Sequence, residues 1–168
     1  GNSVGLHGKL GYGWKGGMPG KVSVSFINQD VNTDAGTSES ISGYDIFANI
    51  NFGNLGLSAY MFDGEGMSSL ALGGLVLAGF GADGTPEETS GNYLQATYKM
   101  GSTKLGASIM TSEQDKVTNV ENEKVTLGVY HNLTPSLTLV GEYSAQESEL
   151  DAGTDESTNI NLGAILFF

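Results

Sequence analysis

Apolar and polar residues alternate with a period of two along almost the whole chain, and a 3.6-residue period is hard to find. The alternation predicts nine strands. The first, about 3–15, sets Val4, Leu6, Leu10, Tyr12 and Trp14 against His7 and Lys9. The second, about 21–31, sets Val22, Val24 and Phe26 against Lys21, Ser23 and Ser25. The third, about 41–53, sets Tyr44, Ile46, Ala48, Ile50 and Phe52 against Asp45, Asn49 and Asn51. Further segments follow at about 54–63, 91–101, 102–112, 123–132 and 136–146. The ninth closes the chain, where every second residue from Ile160 to Phe168 is apolar. Each segment is ~10 residues, the length a tilted strand needs to cross a bilayer.

The connections alternate in length. Short ones are expected at 16–20, 53–54, 101–102 and 133–135, and long ones near 32–40, 64–90, 113–122 and 147–158. Short turns at one end and long loops at the other is the asymmetry of an outer-membrane barrel. A soluble β-sandwich also alternates, but has no reason to segregate its loops by length. If the short turns are periplasmic, Trp14, Phe52, Tyr98 and Phe168 end apolar faces at one membrane level, as an aromatic girdle requires. Tyr44 and Tyr143 lie on that face near the opposite ends of their predicted strands.

Composition fits this picture. There are 168 residues, enough for one domain, with 26 Gly, 3 Pro and no Cys. Lack of Cys removes disulfide scaffolds and thiolate metal sites. Net charge is −12 and Arg is absent, which argues against nucleic-acid binding by a basic patch. No run of ~18 apolar residues exists to form a membrane helix. A mean hydropathy of −0.10 does not count against a barrel, whose strands hide their apolarity by alternation.

The stretches Ser42-Gly43-Tyr44-Asp45-Ile46-Phe47-Ala48-Asn49, Asn54-Leu55-Gly56-Leu57-Ser58-Ala59-Tyr60, Lys104-Leu105-Gly106-Ala107-Ser108 and Gly128-Val129-Tyr130-His131-Asn132-Leu133-Thr134-Pro135 resemble Gram-negative general diffusion porins, as does the ending Gly163-Ala164-Ile165-Leu166-Phe167-Phe168. The likeness covers nearly the whole chain. It implies an all-β fold, a transmembrane antiparallel β-barrel of the porin type to which this chain supplies about nine strands. It also implies a location in the bacterial outer membrane, a homotrimer, and a water-filled channel for passive diffusion of small hydrophilic solutes and ions. Porins of this kind have about 16 strands, so residues 1–168 are expected to form one domain that is the C-terminal half of a longer porin. The terminal Phe168 resembles the residue that the barrel-assembly machinery reads.

The polar side of the alternation supplies the candidate pore lining: His7, Lys9, Lys21, Asp45, Asn49, Lys99, Lys104 and Glu142. No aromatic slide or tight ring of charge is expected there, which favours passive diffusion over a solute-specific channel. Other candidate chemistry is weak. Gly79-Phe80-Gly81-Ala82-Asp83-Gly84 matches a nucleotide-binding spacing, but Thr85-Pro86 leaves no room for the helix that spacing needs, so a glycine-rich loop is expected. Asp30 to Gly36 opens like a calcium loop, yet Ile41 stands where the bidentate Glu belongs. The acidic loops, with residues such as Asp34, Asp83, Glu113, Glu121, Glu147 and Glu149, offer loose Ca²⁺ or Mg²⁺ binding and bridging to lipopolysaccharide phosphates. His7 and His131 have no Ser and carboxylate in register, so neither catalysis nor a cofactor is expected. The partners expected are lipid, lipopolysaccharide and solutes in transit. An alternative reading is a short outer-membrane barrel that acts structurally, or binds partners, through acidic extracellular loops.

Overall fold

A computed structural model of the chain describes residues 4–32, 38–67, 79–81, 84–115 and 119–168. The described residues contain nine strands: β1 (Leu6–Trp14), β2 (Gly20–Asn32), β3 (Ser38–Phe52), β4 (Leu55–Glu65), β5 (Glu88–Met100), β6 (Thr103–Asp115), β7 (Val120–Thr134), β8 (Leu137–Leu150) and β9 (Gly153–Leu166). They form one antiparallel sheet in sequence order, each strand paired with its chain neighbours. β1 and β9 each have one paired edge and do not pair with each other.

The tight turns follow from local chemistry. Gly53 and Gly101 adopt positive φ, 59° and 58°, at the first residues of the two-residue turns at 53–54 and 101–102. Glycine takes that conformation without the Cβ clash that penalises other residues. Between β7 and β8, Thr134 Oγ1 accepts from Leu137 N at 3.0 Å, and the register shifts there by a bulge. A hydroxyl substituting for a backbone acceptor is a common way to seat such a turn.

Two expectations change. The strands are longer than ~10 residues: β3 and β7 have 15 each, and β8 and β9 have 14. The sequence between about 113 and 122, expected as loop, is mostly strand, because β6 runs to Asp115 and β7 starts at Val120. Likewise β8 and β9 meet at the turn 151–152 rather than through a loop from 147 to 158. The asymmetry of the two ends therefore rests mainly on residues 66–87. These extensions were hidden because both of their faces are polar, so hydrophobic alternation gives no signal there while backbone pairing continues.

Burial is inside out. Val24, Ile46, Leu57, Leu94, Leu105, Leu127, Val129 and Leu139 share one face and are all more than a third exposed. The other face is mostly polar, and across β2 to β8 it holds the buried Ser23, Ser112, Asn122 and Ser144. A water-soluble sheet would do the reverse.

Candidate functional site: the polar face of the sheet

The register assigns every side chain to a face. Lys9 pairs with Ser25, Ser25 with Asp45 and Asp45 with Phe62, while Lys21 pairs with Asn49 and Asn49 with Ser58. Lys99 pairs with Lys104, Lys104 with Tyr130, and Gly128 with Glu142. Following the rows across, His7, Lys9, Lys21, Asp45, Asn49, Lys99, Lys104 and Glu142 all fall on the polar, inward face. Leu6, Val24, Ile50, Leu57, Leu105, Leu127, Leu139, Ala164 and Leu166 all fall on the opposite face.

Near the short-turn end the inward polar groups are knitted together. Lys99 and Lys104 stand directly opposite, an unfavourable like-charge pair. Lys104 extends over the Tyr130 ring, Nζ 4.9 Å from its centroid, and the Tyr130 hydroxyl donates to Glu142 Oε1. The ring face attracts the ammonium, and the phenol holds the carboxylate in place. Tyr130 thus joins two residues that the sequence marked only separately. Asn49 Nδ2 donates to Ser58 Oγ at 3.0 Å, so amides and hydroxyls hold one another along the wall.

One expectation about this face is corrected. Phe47, Tyr60 and Tyr93 lie in a single row, Phe47 opposite Tyr60 and Tyr60 opposite Tyr93, with Met110 next. Phe62 is adjacent, its ring centroid 6.2 Å from that of Tyr60. The wall therefore does carry an aromatic patch. The signal was present, since each of these residues sits in the polar phase of its strand, but only the register brings them together.

The apolar face ends in an acidic collar. Above Met61, Leu94, Ile109, Val125 and Tyr143 come Asp63, Glu113, Glu121, Glu123, Glu147 and Glu149. Glu113 faces Glu121 and Glu121 faces Glu149, while Glu123 faces Glu147 and Glu147 faces Glu156. All of them lie on the outward face of strands, and Glu113, Glu121, Glu147 and Glu149 were expected in loops. Among the described residues no group of three His, Asp or Glu side chains converges to hold a metal ion. Asp34 and Asp83 lie outside the described residues, as do parts of both the calcium-like and the glycine-rich segments. In the latter, Gly81 N donates to Thr85 O and Phe80 bridges to Pro86, and none of the described residues from 84 to β5 is helical.

His131 lies on the outward face beside Thr103, Nδ1 to Oγ1 2.9 Å, and His7 stands opposite Ile27. No helix among the described residues is long and apolar enough to cross a membrane.

An apolar outward belt, a polar inward wall and sequential antiparallel pairing define the sheet of an outer-membrane β-barrel protein. Residues 1–151 match the family model described as Gram-negative porin, and the chain belongs to that family. No curated protein matches the sequence. Among solved structures the chain is similar to a loop L8 deletion mutant of OmpT, an outer membrane protein of Vibrio cholerae. The TM-score is 0.58 at 13% identity, over 87% of this chain and 51% of that one. The chain thus spans about half the length of that structure. The protein is located in the bacterial outer membrane.

Proposed function

We propose that the inward face lines a water-filled channel for passive diffusion of small hydrophilic solutes and ions. The observation that carries this reading is the register itself, which gathers His7, Lys9, Lys21, Asp45, Asn49, Lys99, Lys104 and Glu142 on one wall, opposite the apolar belt. Hydroxyls, amides and charges of both signs solvate water and ions without fixing one ion tightly. Diffusion of this kind uses no catalytic residue and no cofactor.

The free edges of β1 and β9 cannot face hydrocarbon, because unpaired backbone groups cost several kcal/mol each there. The reading therefore includes further strands that join these edges into a barrel. A homotrimer would seat on the shallow outward groove where Ala48 faces Ala59 and Ala96 faces Ala107, flanked by Trp14 and Leu57. The acidic collar serves as a diffuse layer that gathers divalent counter-ions beneath lipopolysaccharide phosphates. The terminal Phe168 acts as the assembly signal.

Conductance in planar bilayers tests the channel. Stepwise currents that are linear in voltage and proportional to bulk salt conductivity are expected. A reconstituted protein without such steps would favour a structural or partner-binding role for the acidic outer end instead.

A further inference from the structure

The inward aromatic patch surrounds a concavity of about 590 Å³ on the wall formed by β2 to β6, within the size range of small-molecule sites. Phe47, Tyr60, Phe62 and Tyr93 line it, and Met110 extends the same row. The one charged side chain that the inward face contributes to the lining is Asp45, which accepts from Ser25 Oγ at 3.1 Å. No lysine lines it. Lys9 shares the row of Asp45, two strands away or roughly 10 Å at ordinary strand spacing, and stays outside the lining, while Lys124 is in the row beyond Met110, four strands away.

The patch is built in, not a chance scatter of side chains. Phe62 stands directly opposite Gly91, where a Cβ would lie 2.5 Å from its ring. The missing side chain lets the ring lie down over the neighbouring strand. Met67, at the start of the long connection, reaches the same face, since a Cβ on Gly64 would lie 2.8 Å from its Cγ. It bounds the end of the concavity away from the short turns.

We infer that this concavity is a wall subsite for a small organic cation with an aromatic or apolar body, held by Asp45 and the ring faces of Tyr60, Tyr93 and their neighbours. Ring faces carry partial negative charge and attract cations, and a carboxylate beside them selects an ammonium over an anion. An apolar body displaces water from the rings, which a hydrated inorganic ion does not. The inference rests on the reading of this face as open to water, and it adds a solute class to a wall otherwise suited to nonselective passage. Transit is then slowed for such cations relative to neutral solutes of the same size.

The test is isothermal titration of benzyltrimethylammonium chloride into the native protein held in nanodiscs of zwitterionic phospholipid. Saturable binding is expected. Asp45→Asn should weaken it about fivefold, the order expected for loss of one partly screened charge contact. Tyr60→Leu keeps an apolar side chain but removes the π face and should also weaken it severalfold. With the unaltered protein, benzyl alcohol and tetramethylammonium should each bind at least about fivefold more weakly, because each lacks one of the two contacts. That comparison stands even if a variant fails to fold. Absence of saturable binding, or benzyl alcohol bound as tightly as the ammonium, would overturn the subsite. Binding needs no ion flow, so conductance steps without binding would reject the subsite alone. Binding without conductance steps would reject the channel alone.

Discussion

Glu123 of β7 and Glu147 of β8 stand directly opposite each other on the outward face, with Glu156 of β9 next in the same row. Like charges at directly paired positions are destabilising, by up to ~1 kcal/mol per pair. They are tolerable only in water or among counter-ions, which fixes the upper limit of the hydrocarbon belt below this row. Glu147→Gln removes two such contacts at once. It should raise stability by ~0.5–1 kcal/mol at low salt, and the gain should fade near 1 M salt, where the Debye length falls to about 3 Å. Urea midpoints of the two proteins at both salt concentrations check this.

The belt predicts a depth-dependent cost for charge. On β7 the outward residues Val125, Leu127, Val129, His131 and Leu133 cross it, with Val129 in the middle. Leu139, opposite His131, lies only a few residues from the short turn at 135–136. Val129→Arg should therefore cost ~2–4 kcal/mol, and Leu139→Arg no more than about 1 kcal/mol. Thr126→Arg, on the inward face, should leave folding into lipid nearly unchanged. Equal costs for all three in a refolding titration would contradict the facing.

Phe168 lies beyond the end of β9 and is fully exposed, whereas Phe167 N still donates to Ser136 O at 2.9 Å. Removing Phe168 breaks no strand pairing. Its deletion should reduce the amount reaching the outer membrane while in-vitro refolding stays close to that of the parent. Parallel losses in cell fractionation and in refolding yield would show that the residue acts through stability instead.

Charge selectivity should be weaker than a net charge of −12 suggests. Glu113, Glu121, Glu123, Glu147, Glu149 and Glu156 point outward, so their field reaches the mouth only around the rim. Inward Glu39, Asp45, Glu142 and Asp155 are nearly balanced by Lys9, Lys21, Lys99, Lys104 and Lys124. A mild cation preference that fades as salt rises is expected. In reversal-potential measurements Asp45→Asn should lower this preference more than Glu123→Gln does.

How much of this the sequence discloses depends on where an apolar partner phase exists. Within the belt, residues such as Tyr44, Ile46, Ala48, Ile50 and Phe52 alternate with polar neighbours, so strand identity and facing were both readable. Above the belt, Glu113 to Asp115 and Glu147 to Glu149 alternate polar with polar. Nothing apolar marks the strand there, and those segments resembled loops. The aromatic patch failed for a different reason. Phe47, Tyr60, Phe62 and Tyr93 are each unremarkable as β-favouring residues, and their assembly depends on the pairing of β3, β4 and β5, which is set by turn positions rather than by any one segment. The Tyr130 to Glu142 contact is likewise a product of register across β7 and β8.

The period-two facing also has an evolutionary consequence. Residues that meet lipid and residues of the inner wall occupy alternate positions in the same strands, so the two sets of selective pressures fall on nearly disjoint halves of the sequence. Substitutions such as Ser58 or Thr97 to other polar residues can drift without touching the membrane fit of Leu57 or Tyr98. Lineages carrying this sheet can retune what the wall favours one residue at a time, with insertion competence inherited intact.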